Sequence, residues 1–179
     1  IGDAVMALWG SMPQPGDSGQ GLKHDALNAV TSAVAMREVL VELNAGWKAR
    51  GMQEWGVGIG IHQGNVIVAN VGSAPPYERM ELTVIGDNVN LASRLEGATK
   101  EYGVDIIISD VVQRHVQGAF LCRSADLVQV KGKAQPVEVF TVFGRRQSAA
   151  PRGMADFEQG VAHYRAGHFK EALGAFERA

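Results

Sequence analysis

Residues 83 to 97, "TVIGDNVNLASRLEG", set an amide and a guanidinium four positions apart, at Asn90 and Arg94. The stretch leaves an apolar strand end, passes Gly86 and two short polar residues, and settles into helical spacing. A four-residue step stays on one helical face, so Asn90 and Arg94 stack, while Leu91 and Leu95 form a second, apolar pair. An amide both donates and accepts hydrogen bonds, and a guanidinium is a planar, permanent cation matched to oxyanions. The pair could hold an anionic ligand. The same residues also fit a plainer role, a solvated Arg on an amphipathic helix and an Asn used for local capping. Asp87 or Asn88 could supply that cap, since a short side-chain oxygen satisfies the free amides of a first turn. The rest of the chain has to decide between the two.

The elements around this helix are legible from pattern. Residues 4 to 9, "AVMALW", read as a short apolar strand ending at Gly10, and 11 to 21 as a loop of Pro, Gly and Ser. From about His24 to Ala49, Ala26, Val30, Ala33, Met36, Leu40, Leu43 and Trp47 recur at helical steps, which predicts a long amphipathic helix. "VGIGIHQGNVIVANVG", residues 57 to 72, predicts two strands joined by a tight turn at residues 63 to 65. Gly58 and Gly60 leave one face of the first strand bare, which invites close approach by another element or a ligand. His62 reads as a structural hydrogen-bonding group of that strand rather than a catalytic one.

Residues 73 to 80, with Pro75 and Pro76, read as an exposed loop or arm, and 81 to 85 as a strand feeding the Asn90 helix. "VDIIIS" at 104 to 109 is a buried strand, residues 110 to 116 begin a helix, and 127 to 143 form two strands around a turn at "KGKAQP". This order predicts an α/β sandwich on a mixed sheet. Residues 144 to 153 read as a linker. Beyond it Gly160, Ala172, Phe176 and Ala179 fall at the spacings of a tetratricopeptide repeat, with a turn near Gly167. A plain helical hairpin packed on the main domain fits the same residues.

A chain of 179 residues suits one domain plus an appendage, and 46% hydrophobic with 20% charged residues describes a globular chain. A net charge of −2 with scattered Lys and Arg argues against a nucleic-acid partner. Cys122 is the only cysteine, which excludes an internal disulfide and a Cys-based zinc site and fits a reducing compartment. Apart from His163 and His168, five positions apart, the five His residues lie far from one another and form no metal-ligand cluster. No apolar run approaches the roughly 20 residues that span a bilayer. The first residues, Ile1-Gly2-Asp3, carry no initiating Met, so the chain reads as cut at its front.

Four segments taken together, residues 1 to 10, 60 to 72, 83 to 97 and 130 to 140, resemble in order and spacing the catalytic domain of class III nucleotide cyclases. The resemblance covers residues 1 to about 143, and the trailing repeat is similar to that of bacterial multidomain cyclases. It implies the nucleotide cyclase (ferredoxin-like) α/β sandwich followed by a short helical hairpin. Three parts are expected: the cyclase domain at 1–143, the linker at 144–153 and the start of a tetratricopeptide-like repeat at 154–179, open to a protein partner.

The resemblance also implies an activity: ATP to cyclic AMP and pyrophosphate, by in-line attack of the ribose 3′-oxygen. Asn90 matches the position that orients the ribose, and Arg94 the one that binds the α-phosphate in the transition state, where a fixed guanidinium meets shifting negative charge. Asp3 matches the second of two metal-binding aspartates, serving two Mg²⁺ ions for which Mn²⁺ could substitute. Lys131, with Lys133 as the fallback, matches a lysine that meets the terminal phosphates. Thr83 stands where many relatives place an Asp on the adenine amine and where guanylate cyclases typically have Cys, which favours ATP.

The family's site is shared between two protomers, so a homodimer is expected. The first metal Asp and the adenine-reading Lys would precede Ile1, so this chain alone is expected to be inactive. It would be a cytoplasmic part of a protein anchored in a membrane through upstream segments. The alternative is a catalytically inactive cyclase-homology module that binds nucleotide or dimerises.

Overall fold

Ile106, Ile107 and Ile108 set the centre of the fold. All three are fully buried, and because strand side chains alternate, they serve two cores rather than one. Ile106 and Ile108 join Val30, Val34, Val112, Val116 and Val142 on one face. Ile107 joins Leu91, Leu95 and Val139 on the other.

The computed structural model describes residues 4–10, 21–72, 80–129, 136–147 and 149–179. Their elements in chain order are α1 (Gly21–Ala49), β1 (Ile59–Ile61), β2 (Ile67–Gly72), β3 (Met80–Ile85), α2 (Asp87–Tyr102), β4 (Ile106–Ser109), α3 (Asp110–Val116), β5 (Phe120–Val128), β6 (Val137–Arg145), α4 (Met154–Arg165) and α5 (Phe169–Phe176). A four-stranded sheet runs β1-β4-β6-β5, and β2 pairs with β3 separately. β1 and β4 are parallel, and β6 is antiparallel to both of its neighbours, so the sheet is mixed as expected. Helices α1 and α3 cover one face and α2 the other. This is an α/β sandwich.

Several expectations change. Residues 4–9 form no strand: residues 4–8 are irregular, Val5 is 88% exposed and no described strand pairs with them. Apolar content alone does not make a strand without an edge to bond to. Residues 57–72 hold two strands, but not a hairpin. β1 pairs with β4 over Ile59–Ile106 to Ile61–Ile108, whereas β2 runs in six-residue register with β3. The turn at residues 63–65 therefore carries the chain between sheets.

β5 begins at Phe120, seven residues before the expected strand start. Its register shifts at Leu121/Cys122 and Ser124/Asp126 break the two-residue alternation that would have revealed it. In α1 the expected stripe is buried only at Ala26, Val30 and Ala33, while Met36 and Leu43 are exposed. The second half of the helix carries an apolar face with little of this protomer's core beneath it.

The bare glycine face has a clear use. A Cβ on Gly60 would overlap the α2 backbone at Ala92 and Glu96, and one on Gly58 would strike Thr99. Helix α2 thus rides directly on β1, a close approach that only glycine permits. Arg37 of α1 crosses to the strand ends, pairing with Asp105 and donating to the carbonyls of Phe143 (2.8 Å) and Val142 (2.5 Å). Ionised hydrogen bonds of this kind contribute about 1.5–3 kcal/mol each when half-buried.

Helices α4 and α5 form the expected hairpin, turning at Gly167, with Gly160 receiving the Phe176 ring and Phe157 meeting it at 5.4 Å. The hairpin rests on β5. The Arg123 guanidinium lies 4.0 Å from the Phe157 ring and 5.2 Å from Phe143, and Arg165 donates to Glu138 and Ser124. No described helix is long and apolar enough to cross a membrane.

Candidate active site

Asn90 and Arg94 lie one turn apart on α2, both exposed, with Leu91 (2%) and Leu95 (0%) buried on the opposite side. Burying one face of the helix necessarily presents the other. Among the described residues Arg94 has no ion-pair or hydrogen-bond partner, so its fork of donors is available to a ligand.

What holds that helix is unusual at its start. Gly86 precedes it with φ 150° and ψ 165°, and no side chain caps the first turn. The expected cap at Asp87 or Asn88 is therefore not made. The backbone closes the turn instead, with the amides of Val89 and Asn90 donating to the Gly86 carbonyl at 3.1 and 3.2 Å. Asn88 turns away from the helix. Its Nδ2 donates to the Asn65 carbonyl (2.8 Å), and its Oδ1 faces His62 Nε2 at 3.0 Å. His62 Nδ1 in turn lies 2.8 Å from Ser109 Oγ. His62 is thus a hydrogen-bonding group, as its strand position suggested.

The far end of α2 is held as firmly. Gly103 adopts the left-handed conformation (φ 62°) that ends the helix, and Tyr102 donates to Asp126 Oδ2 at 2.6 Å. That hydrogen bond to a carboxylate pushes the phenol up to about 12, so the contact persists across the physiological range. Burial pushes the Cys122 thiol up to about 11, leaving it protonated and a poor nucleophile at neutral pH.

Thr83 sits in β3, half-buried, opposite Ala69 of β2 and four residues before α2 begins. Chain continuity through Gly86 links it to Asn90 and Arg94. Asp3 and Lys131, with Lys133, lie outside the described residues. Among the described residues no group of three or more His, Cys, Asp or Glu could hold a metal ion. The described residues alone do not make a metal site.

Clefts open on the surface formed by the described residues, two of them bearing on the site. One, of about 430 Å³, lies between Arg123 and the α4–α5 hairpin. The other, of about 690 Å³, is lined by Arg37, Gly58, Thr99, Asp105 and Phe143. Neither contains Thr83, Asn90 or Arg94. Asn90 and Arg94 of α2 are exposed on the protomer surface. The Asn88–His62–Ser109 chain went unread in the sequence. Its three members are 21 to 47 positions apart, and only the tertiary fold brings them together.

Comparison with known proteins bears on the family and the fold. The family described as the adenylate and guanylate cyclase catalytic domain matches residues 1–144. An adenylate cyclase of Anabaena cylindrica is 38% identical over 149 residues, covering 79% of this chain and 27% of the relative. Adenylate cyclase 1 of Rhizobium meliloti is 32% identical over 143 residues, covering 80% of this chain and 20% of the relative. The chain therefore spans about a fifth to a quarter of these relatives' length. Among solved structures, the adenylyl cyclase CyaB from P. aeruginosa superposes with a TM-score of 0.62 at 34% identity, covering 75% of this chain and 67% of that one. A guanylyl cyclase superposes at 0.57 with 33% identity, covering 70% and 61%. With the family matched across four-fifths of the chain and its sandwich fold in place, this protein belongs to the adenylate and guanylate cyclase catalytic domain family.

Proposed function

We propose that the chain is the catalytic domain of an adenylate cyclase, forming 3′,5′-cyclic AMP and pyrophosphate from ATP in a homodimer with shared sites. The observation that carries this reading is α2: a helix fixed at both ends that presents outward Asn90 and an Arg94 with no partner among the described residues. In the proposed reaction Asn90 holds the ribose so that its 3′-oxygen lies in line with the α-phosphorus. The P–O bond to the new ring forms as the bond to pyrophosphate breaks. Arg94 meets the charge that gathers on the α-phosphate oxygens, so the domain contributes placement and field rather than covalent chemistry.

Thr83 accepts the adenine amine through its hydroxyl, less selectively than a carboxylate would. Lys131 is assigned to the terminal phosphates and Asp3 to the divalent cation, two Mg²⁺ ions or Mn²⁺ in their place, which would neutralise the triphosphate and activate the 3′-oxygen. On the same reading residues 144–153 are a linker, and 154–179 begin a tetratricopeptide-like repeat that could engage a protein partner.

The assay is direct. The full-length protein carrying this chain is given ATP or GTP with Mg²⁺ or Mn²⁺, and the products are separated. Cyclic AMP should dominate, with pyrophosphate in equal amount. Cyclic GMP as the main product would overturn the role given to Thr83. Nucleotide binding without turnover, in protein shown to dimerise, would establish the inactive cyclase-homology module instead.

A further inference from the structure

We propose that His62 is a positioning residue for cyclisation, setting the start of α2, and with it Asn90 and Arg94, through the Asn88 side chain. The inference rests on the roles proposed above for Asn90 and Arg94.

The first turn of α2 has no side-chain cap, so some other contact must fix its direction. Asn88 provides it from outside the helix. Its amide is gripped on both ends, by the Asn65 carbonyl and by His62, and Gly64 packs so closely against it that a Cβ there would overlap the amide. The bonding pattern also calls for a proton on His62 Nε2. Asn88 Nδ2 is committed to a carbonyl, so its Oδ1 must accept, and His62 Nε2–H is the donor. His62 Nδ1 lies in hydrogen-bond contact with the hydroxyl of Ser109, a fully buried residue.

Ser109 closes β4, and His62 directly follows β1, its parallel neighbour. The relay therefore ties α2 to the carboxyl ends of two adjacent parallel strands, where open α/β sheets place their ligands. Asn90 lies two residues beyond Asn88. A small rotation of the first turn would therefore move its amide. Misplacement by about 1 Å can lower a rate by about 10²-fold.

The imidazole offers a test in its two nitrogens. A glutamine side chain is long enough to carry an N–H donor to the Nε2 position, whereas asparagine reaches only toward Ser109. In the full-length protein, His62→Asn should lower kcat by about 10- to 100-fold, with KM for ATP changed less than about threefold. His62→Gln should recover most of the loss. Adding Asn88→Ala to His62→Asn should cost little more, since both break one path. Rates are counted per nucleotide-binding site, so misfolded protein cannot pass for a slow enzyme. Wild-type kcat in His62→Asn, equal losses in the Asn and Gln variants, or fully additive losses in the double variant would each overturn the proposal. Arg94→Ala, assayed alongside, separates the failures. If it is inactive while His62→Asn is not, only the relay is wrong; if it is fully active, the parent reading falls as well.

Discussion

Arg94→Ala should lower kcat for cyclic AMP formation by about 10²–10³-fold while KM for ATP changes little. The reason is where the guanidinium stands. It is exposed, it has no partner among the described residues, and Leu91 and Leu95 anchor the other side of its helix. A donor held in this way is already oriented when charge moves onto the α-phosphate oxygens, so its benefit falls on the transition state more than on bound ATP. Arg94→Lys should recover only part of the rate, because an ammonium lacks the planar fork. Steady-state kinetics on the full-length protein decide the matter. A raised KM with an unchanged kcat would make Arg94 a ground-state binder.

Asp3→Ala and Asn90→Ala should each inactivate the homodimer, and a mixture of the two should regain activity. Asn90 faces away from its own protomer's core and lines neither of the two clefts, which suits a site completed across a two-fold axis. In a heterodimer one site would carry both substitutions and the other neither. Random pairing of equal amounts should therefore give about a quarter of the wild-type activity. Absence of recovery, with subunit exchange demonstrated by a labelled protomer, would mean that Asp3 and Asn90 act within one chain.

The sequence was most legible where one physical demand governs a segment. Ile106–Ser109 is buried on both faces and reads as an unbroken apolar run, and Asp87–Tyr102 shows its two faces in Asn90/Arg94 and Leu91/Leu95. Gly58 and Gly60 announced a close approach, which α2 makes. Legibility failed where pairing or register is decided by distant residues. Nothing local in residues 57–72 says that β1 takes β4 as its partner while β2 takes β3. The two register shifts hid the first part of β5, and "AVMALW" looked like a strand although strand formation depends on an available edge. Asn88 read as a cap because short polar residues at helix starts usually are caps. His62 and the Asn65 carbonyl claim it instead, through contacts across 26 and 23 positions.

The central claim is that the outward face of α2 is where the nucleotide's reacting centre sits. A crystal structure of the full-length dimer with 3′-deoxy-ATP, which cannot cyclise, tests it most directly. The account predicts an Arg94 nitrogen within about 2.7–3.2 Å of an α-phosphate oxygen and the Asn90 amide against the ribose. A nucleotide seated instead in the 690 Å³ cleft beside Arg37, Thr99 and Asp105, with Arg94 left in solvent, would contradict it.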